Sequence, residues 1–356
     1  MSREPRAVVV APDKFKGTLS APEAALAIGR GLVAGGVERI ELLPLADGGE
    51  GTMEAMVQAG RGRILAAPAS DPLGREVEAA FGLLEGGKVA VVEQAQASGL
   101  WRVATVERDA VGATSQGTGE LIAAAIGSGA REVLVTVGGS ATSDGGRGAL
   151  EALGARFTSS GADLGELRRR LRRVRLSVAC DVRNPMLGSE GSAHVFAAQK
   201  GASRAQVDEI EERMRAWAAL ARRETGRDPS DEPMAGAGGG LAGGLWAFAG
   251  ATLRPGAALV LDTVGFDALA HEAFAVVTGE GRLDEQTIGG KLLFEVATRT
   301  RQGGVPCYAV VGKDDLDPFE HRLMNIEVEA AARNSHMASV REVEQAAHRI
   351  ARRLLP

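Results

Sequence analysis

Between Val133 and Gly154 the chain reads VLVTVGGSATSDGGRGALEALG, and few folds accommodate such a segment. Val133 to Val137 is β-branched apart from Leu134 and too short for a buried helix, so it predicts a core strand. Gly138 and Gly139 end it. The loop then offers Ser140, Thr142, Ser143 and Asp144 before Gly145 and Gly146, and apolar spacing turns helical at Leu150 and Leu153. Strand, glycine loop and helix start together make an anion site, because glycines let the backbone approach and helix N-terminal N–H groups point at the ligand. A tight turn with an N-cap is the alternative reading of the same residues. Asp144 beside a phosphate is repulsive unless a metal ion or a substrate hydroxyl lies between them.

The rest of the chain repeats this grammar. Ala7 to Ala11 is a first strand that delivers PDKFKG into a loop, and Ser20 with Glu23 forms a capping-box pattern ahead of a helix running to about Val33. Ile40 to Leu45 is a second strand, followed by ADGGEGT and another helix. Ala273 to Thr278 and Val305 to Val311 are core strands ending at GEGRLDEQTIGGK and GKDD. Four such strands, split between the chain's two ends, predict one discontinuous α/β domain, residues 1–72 with 265–356. Residues 73–264, where short strands alternate with turn signals such as Gly74 and Gly86-Gly87, would be an inserted α/β domain with its own sheet. The active site is expected where strand-end loops of the two domains meet in a cleft.

At 356 residues two domains are the default, and 45% hydrophobic residues can fill both. A net charge of −5 argues against a nucleic-acid partner, so an anionic substrate must be held by local lysines and backbone N–H groups. The one basic run, RRRLRRVR at Arg168 to Arg175, reads as a solvated helix face. Cys180 and Cys307 sit beside apolar runs like reduced core residues of a cytoplasmic protein, and no run approaches the ~20 apolar residues of a membrane span.

The charged groups worth weighing follow predicted strands. Lys14 and Lys16 would suit a carboxylate or phosphate. Asp47 and Glu50, bracketed by glycines, can hold a metal ion through oxygen. Asp181 leaves the apolar strand end VAC, where desolvation would raise its proton affinity and make it a general base. Lys291, in the first turn of a helix, opposes the macrodipole unless an anion is bound. GGKL at Gly289 to Leu292 lacks the rest of a Walker A motif, and GAGGG at Gly236 to Gly240 follows Pro233 and Met234 rather than a strand, which weakens a dinucleotide reading. The residues alone reach a two-domain α/β enzyme handling small anions and phosphate with a divalent metal.

Eight blocks carry a resemblance: APDKFKGTLSAPEAA, PLADGGEGT, GTGELI, VGGSATSDGG, ACDVRNP, FAAQKGA, AGAGGGLAGG and TGEGRLDEQTIGGK occur in the order in which the bacterial glycerate kinases carry them. The match covers nearly the whole chain. Ser143 stands where that family more often has asparagine, and the segment between Gly161 and Val174 is shorter and richer in arginine, at a place that can alter a lid or a homodimer contact. The resemblance implies a Rossmann-like three-layer domain made from both termini, an inserted mixed α/β domain, and transfer of the γ-phosphoryl of ATP, with Mg²⁺, to a hydroxyl of D-glycerate. The product is expected to be 2-phospho-D-glycerate rather than the 3-phospho isomer. It also implies a site drawn from Asp13, Lys14, Lys16, Asp47, Glu50, Ser140, Asp144, Asp181, Asn184, Lys200, Glu280 and Asp284. Within it, Asp181, Lys14 and Lys16 are read as catalytic. Asp13, Gly139, Ser140, Asn184, Lys200, Gly279 and Lys291 are read as binding substrate or phosphate, and Asp47, Glu50, Asp144, Glu280 and Asp284 as metal ligands. A nicotinamide-dependent hydroxy-acid dehydrogenase and a non-catalytic metabolite-binding protein are the competing expectations.

Overall fold

A computed structural model describes residues 6–158, 161–284, 287, 292–332 and 338–355. Among them, strands follow in chain order as β1 Val8–Pro12, β2 Ile40–Leu42, β3 Arg63–Ser70, β4 Glu76–Leu84, β5 Val89–Glu93, β6 Glu132–Thr136, β7 Arg156–Thr158, β8 Gly161–Asp163, β9 Arg175–Cys180, β10 Thr252–Pro255, β11 Ala275–Leu283, β12 Cys307–Asp314 and β13 Glu327–Ala330. The helices used below are α1 Ala21–Ala34, α2 Thr52–Ala59, α3 Gln116–Gly127, α4 Arg147–Ala152, α5 Arg204–Thr225, α6 Leu241–Ala249, α7 Leu292–Gln302 and α8 Val340–Leu354. The chain divides into two compact units, Met1–Asp47 with Ala257–Pro356, and Gly48–Gly256.

The first unit holds a five-stranded sheet in the order β13-β12-β11-β1-β2, every pair parallel. β1 is buried along its whole length, as a near-continuous apolar run in a parallel sheet requires. The capping box of Ser20 and Glu23 opens α1, whose Ala24, Ile28 and Leu32 share a core with Val343, Ala347 and Ile350 of α8. Sequence order reverses across this sheet at β1, which has β2 on one side and β11 on the other. The crevice outside the carboxyl ends of β1 and β11 is therefore where a doubly wound sheet takes a ligand.

The second unit holds a six-stranded sheet, β10-β9-β6-β5-β4-β3, in which β3, β4 and β5 form an antiparallel meander and β5, β6, β9 and β10 run parallel. Pro72, where the sequence suggests a domain boundary, is in the hairpin turn between β3 and β4. Buried Asp71 holds that turn by accepting from the N–H groups of Leu73 and Arg75 at 2.8 and 2.9 Å. The turn signal is real, and the division of the chain falls at Asp47 instead. Trp217 of α5, Phe248 of α6 and Phe157 of β7 form an aromatic cluster with centroids 4.7–5.2 Å apart. The arginine run begins on a helix, Gly165–Leu171, that buries Leu167, and continues through a turn to Arg175 at the start of β9. Its arginines are exposed except half-buried Arg170, so only its first part is a solvated helix face. Cys180 and Cys307 are free and buried, and burial pushes the Cys307 thiol up to about 12. No described helix is long and apolar enough to cross a membrane.

Gly31 of α1 marks a close contact with α8. A Cβ there would run into the Glu344 carbonyl oxygen and sit 2.7 Å from Ala347 Cβ. Overpacking of this kind costs about 3 kcal/mol, against ~1 kcal/mol that alanine returns in helix propensity. Gly31→Ala should thus lower Tm by roughly 4–8 °C in a calorimetric scan, and an unchanged or raised Tm would mean that α1 and α8 are not packed this closely.

Candidate active site

In the first unit the expected acidic and basic groups gather at the carboxyl ends of β1 and β11. Asp13 donates its backbone N–H to the Gly279 carbonyl at 2.8 Å, and its Oδ1 accepts from the Lys14 N–H at 2.7 Å. Phe15 is buried between Lys14 and Lys16 and turns the loop back through paired backbone hydrogen bonds with Leu19. Gly281 has no side chain because the loop crosses it: a Cβ there would meet the Lys16 nitrogen at 3.0 Å. Glu280 is buried and accepts from Thr287 Oγ1 at 2.8 Å, while Thr287 caps the turn begun by Asp284. Burial holds the Asp13 carboxyl well above the usual carboxylate range, and the nearby charges of Asp47 and Glu280 add to the effect against the pull of Lys14.

In the second unit the Gly48–Glu50 segment lies at the carboxyl ends of β6 and β9. The Gly138 N–H reaches the Gly48 carbonyl at 3.4 Å, and a Cβ on Gly138 would lie 2.6 Å from Gly49 Cα and 3.4 Å from Asp181 Oδ2. Gly139 takes a left-handed φ of +70° with Glu50 Oε1 beside it. Lys200 is buried beneath this loop, donating to Ser140 Oγ at 2.9 Å and to the Thr142 carbonyl at 2.6 Å. Burial lowers it to about 8, against a smaller opposing pull from Asp144. These partners are neutral oxygens, so the cation's charge stays available to the loop.

Several expectations change on these facts. Asp144, read as a metal ligand, is committed to the protein: it accepts from the Ser115 N–H and hydroxyl at 2.8 Å each and from the N–H groups of Gly146 and Gly148 at 3.0 and 3.1 Å. It ties the turn before α4 to the start of α3. The repulsion it seemed to pose for phosphate is answered by those donors. Asp181, read as a desolvated base, is exposed at the end of β9, so the desolvation argument fails there. Asn184 spends its amide N–H on the Glu190 carbonyl at 2.7 Å, which shapes its own loop. Lys291 lies outside the described residues. Among the described residues, no three histidine, cysteine or acidic side chains stand close enough to hold a metal ion as a preformed cage. Sequence reasoning passed over Glu93, Gln94 and Ser115. Glu93 was detectable, since it closes an apolar strand much as Asp13 and Asp181 follow theirs.

The depressed pKa of Lys200 gives a signed pH test. Its folded value of about 8 lies below 10.5, so the cost of burying the cation is full below about pH 8 and fades as pH rises toward 10.5. Lys200→Met removes that cost, and its Tm relative to the parent should be most favourable near pH 7 and decline toward pH 10. A Tm difference independent of pH would show that Lys200 is not titrating in this buried setting.

The comparisons with known proteins converge. The glycerate kinase family model matches residues 8–355. Glycerate kinase of Bacillus subtilis (strain 168) is 41% identical over 328 residues, covering 87% of this chain and 86% of that protein. Glycerate 2-kinase of Escherichia coli (strain K12) is 39% identical over 329 residues, with 87% and 86% covered. A crystal structure from Salmonella typhimurium LT2, provisionally named glycerate kinase 2, superposes with a TM-score of 0.85 at 35% identity, over 99% of this chain and 98% of that one. A model spanning the chain and relatives aligned along most of their own length leave one conclusion: the chain belongs to the glycerate kinase family and is an ATP-dependent kinase of a small molecule.

Proposed function

We propose that the protein transfers the γ-phosphoryl of ATP to the 2-hydroxyl of D-glycerate. The observation that carries this reading is the near full-length match to proteins named glycerate kinase, one of them named glycerate 2-kinase. Phosphoryl transfer asks little covalent chemistry of a protein, so positioning and charge neutralisation account for most of the rate. Lys14 and Lys16, on a loop pinned by buried Phe15, would hold the glycerate carboxylate or phosphoryl oxygens. Gly139, Ser140 and buried Lys200 offer a compact donor set of the kind that phosphate requires. Asp13 is assigned the hydroxyl proton, because its surroundings favour the protonated form and those of exposed Asp181 give no desolvation. Asp181 is assigned to a substrate hydroxyl.

Mg²⁺ supplies charge neutralisation on the transferring phosphates when it arrives with the nucleotide. Asp47, Glu280 and Asp284 offer the hard oxygen donors it takes, and the mutual repulsion of Asp13, Asp47 and Glu280 is what a cation relieves. One or two carboxylates suffice for an ion that keeps waters and substrate oxygens, which accords with the lack of a preformed cage among the described residues.

A coupled assay for ADP with D-glycerate tests the reading, and ³¹P NMR of the product tells the 2-phospho from the 3-phospho ester. ADP release with other small hydroxy acids but not glycerate would overturn the substrate, and NADH absorbance changes without nucleotide turnover would favour a dehydrogenase. Asp13→Asn should lower kcat by about 10²–10⁴ with a modest change in KM for ATP, and Asp181→Asn should do less. In the parent, kcat/KM for glycerate should rise with pH as the Asp13 carboxyl, held up by burial, loses its proton. A larger loss for Asp181→Asn would return the base to Asp181.

A further inference from the structure

The end of β5 carries a buried carboxylate that none of the roles above uses. Glu93 is 2% exposed and sits beside the β6 end that leads to Gly138. Its Oε1 and Oε2 each accept from the Gly51 N–H at 3.1 Å, and Oε2 also accepts from the Met53 N–H at 3.1 Å. Gly51 is the N-cap residue of α2 and has no side chain to cap it. Glu93 does that work from another strand, so the N-terminus of α2 is filled by the protein's own carboxylate and is closed to phosphate. A glycine loop running into a helix reads from sequence as an anion site, and here the anion is internal.

What Glu93 holds is the segment that reaches the strand ends. Gly48 accepts from Gly138, Gly49 lies against Gly138, and Glu50 lies beside Gly139. Two residues further on, Thr52 returns its hydroxyl to the Gly49 carbonyl at 2.6 Å. The adjacent Gln94 serves the facing loop, donating to Thr142 Oγ1 at 3.2 Å. Burying a carboxylate is costly unless several donors answer it, and the N–H groups of Gly51 and Met53 are among the donors it finds.

We infer that Glu93 is a positioning residue of the glycerate kinase reaction, fixing residues 48–51 over Gly138 and Asp181 through the Gly51 and Met53 amides. The inference rests on the reading that this chain phosphorylates glycerate. Glu93→Gln keeps the volume but turns one acceptor into an NH₂ group facing the same N–H donors, and Glu93→Asp keeps the charge with a shorter reach. With the full-length enzyme, Glu93→Gln should lower kcat/KM for glycerate at least 10-fold while KM for ATP stays within about 3-fold, and Glu93→Asp should recover part of the loss. Amide hydrogen exchange at Gly51 and Met53 should quicken at least 10-fold in Glu93→Gln and less in Glu93→Asp. Parent enzyme that turns over no glycerate would sink the substrate reading, and the exchange measurement would still decide the positioning. Unchanged exchange at those amides, or equal losses toward glycerate and ATP in both variants, would overturn it. If Glu93→Gln does not fold, Glu93→Asp carries the same two measurements.

Discussion

Gly49 and Gly138 meet backbone to backbone at the carboxyl end of β6, at a separation that no side chain on Gly138 could share. This contact orders much of what surrounds it. Because the two loops touch through their backbones, Glu50 comes beside Gly139, while the pairing of β9 with β6 brings Asp181 beside Gly138. Glycine is required here for room, while at Gly139, Gly145 and Gly146 it also supplies a left-handed φ of +68° to +78° that side chains disfavour. A chain that spends so many glycines on strand-end loops gives up conformational entropy to bring main chain close to a ligand.

Three charged groups around the strand-end loops of the second unit, Asp144, Glu93 and Lys200, are met by backbone groups and hydroxyls. Asp144 is answered by the N–H groups of Ser115, Gly146 and Gly148, Glu93 accepts from those of Gly51 and Met53, and Lys200 is answered by a hydroxyl and a carbonyl. Fixed dipoles of this kind hold a charge in place without cancelling it, which is what a site for a polyanion needs. The first unit differs. There, Asp13, Asp47 and Glu280 are near enough to raise the proton affinity of Asp13, so their mutual repulsion is left for a proton or a cation to settle.

The fold was legible where local pattern and burial agree. AVVVA and AFAVVT carry the unbroken apolar runs of doubly covered parallel strands, and the Ser20–Glu23 box marks the start of α1 as sequence suggests. Pro72 misled because a tight hairpin and a domain linker use the same turn chemistry, and only pairing between β3 and β4 separates them. β13, with alternating glutamates at a sheet edge, has no apolar run to announce it. At the site, residues were legible as types following strands, and their roles were not. Asp144 finds its partners at Ser115, 29 positions away, and nothing in a linear reading says that its oxygens are already taken. Asp181 leaves an apolar strand yet emerges into solvent, since burial is decided by what packs over a strand end and not by the strand itself.

The most direct test of the account is Gly138→Ala. The added Cβ would stand 2.6 Å from Gly49 Cα, and relief of that clash requires residues 48–50 to shift while the buried strand beneath stays in place. Since displacements near 1 Å cost about 10²-fold in rate, kcat/KM for glycerate should fall by roughly two orders of magnitude with far-UV circular dichroism unchanged. Parental kcat/KM in a folded Gly138→Ala enzyme would contradict the claim that this backbone contact sets the geometry of catalysis.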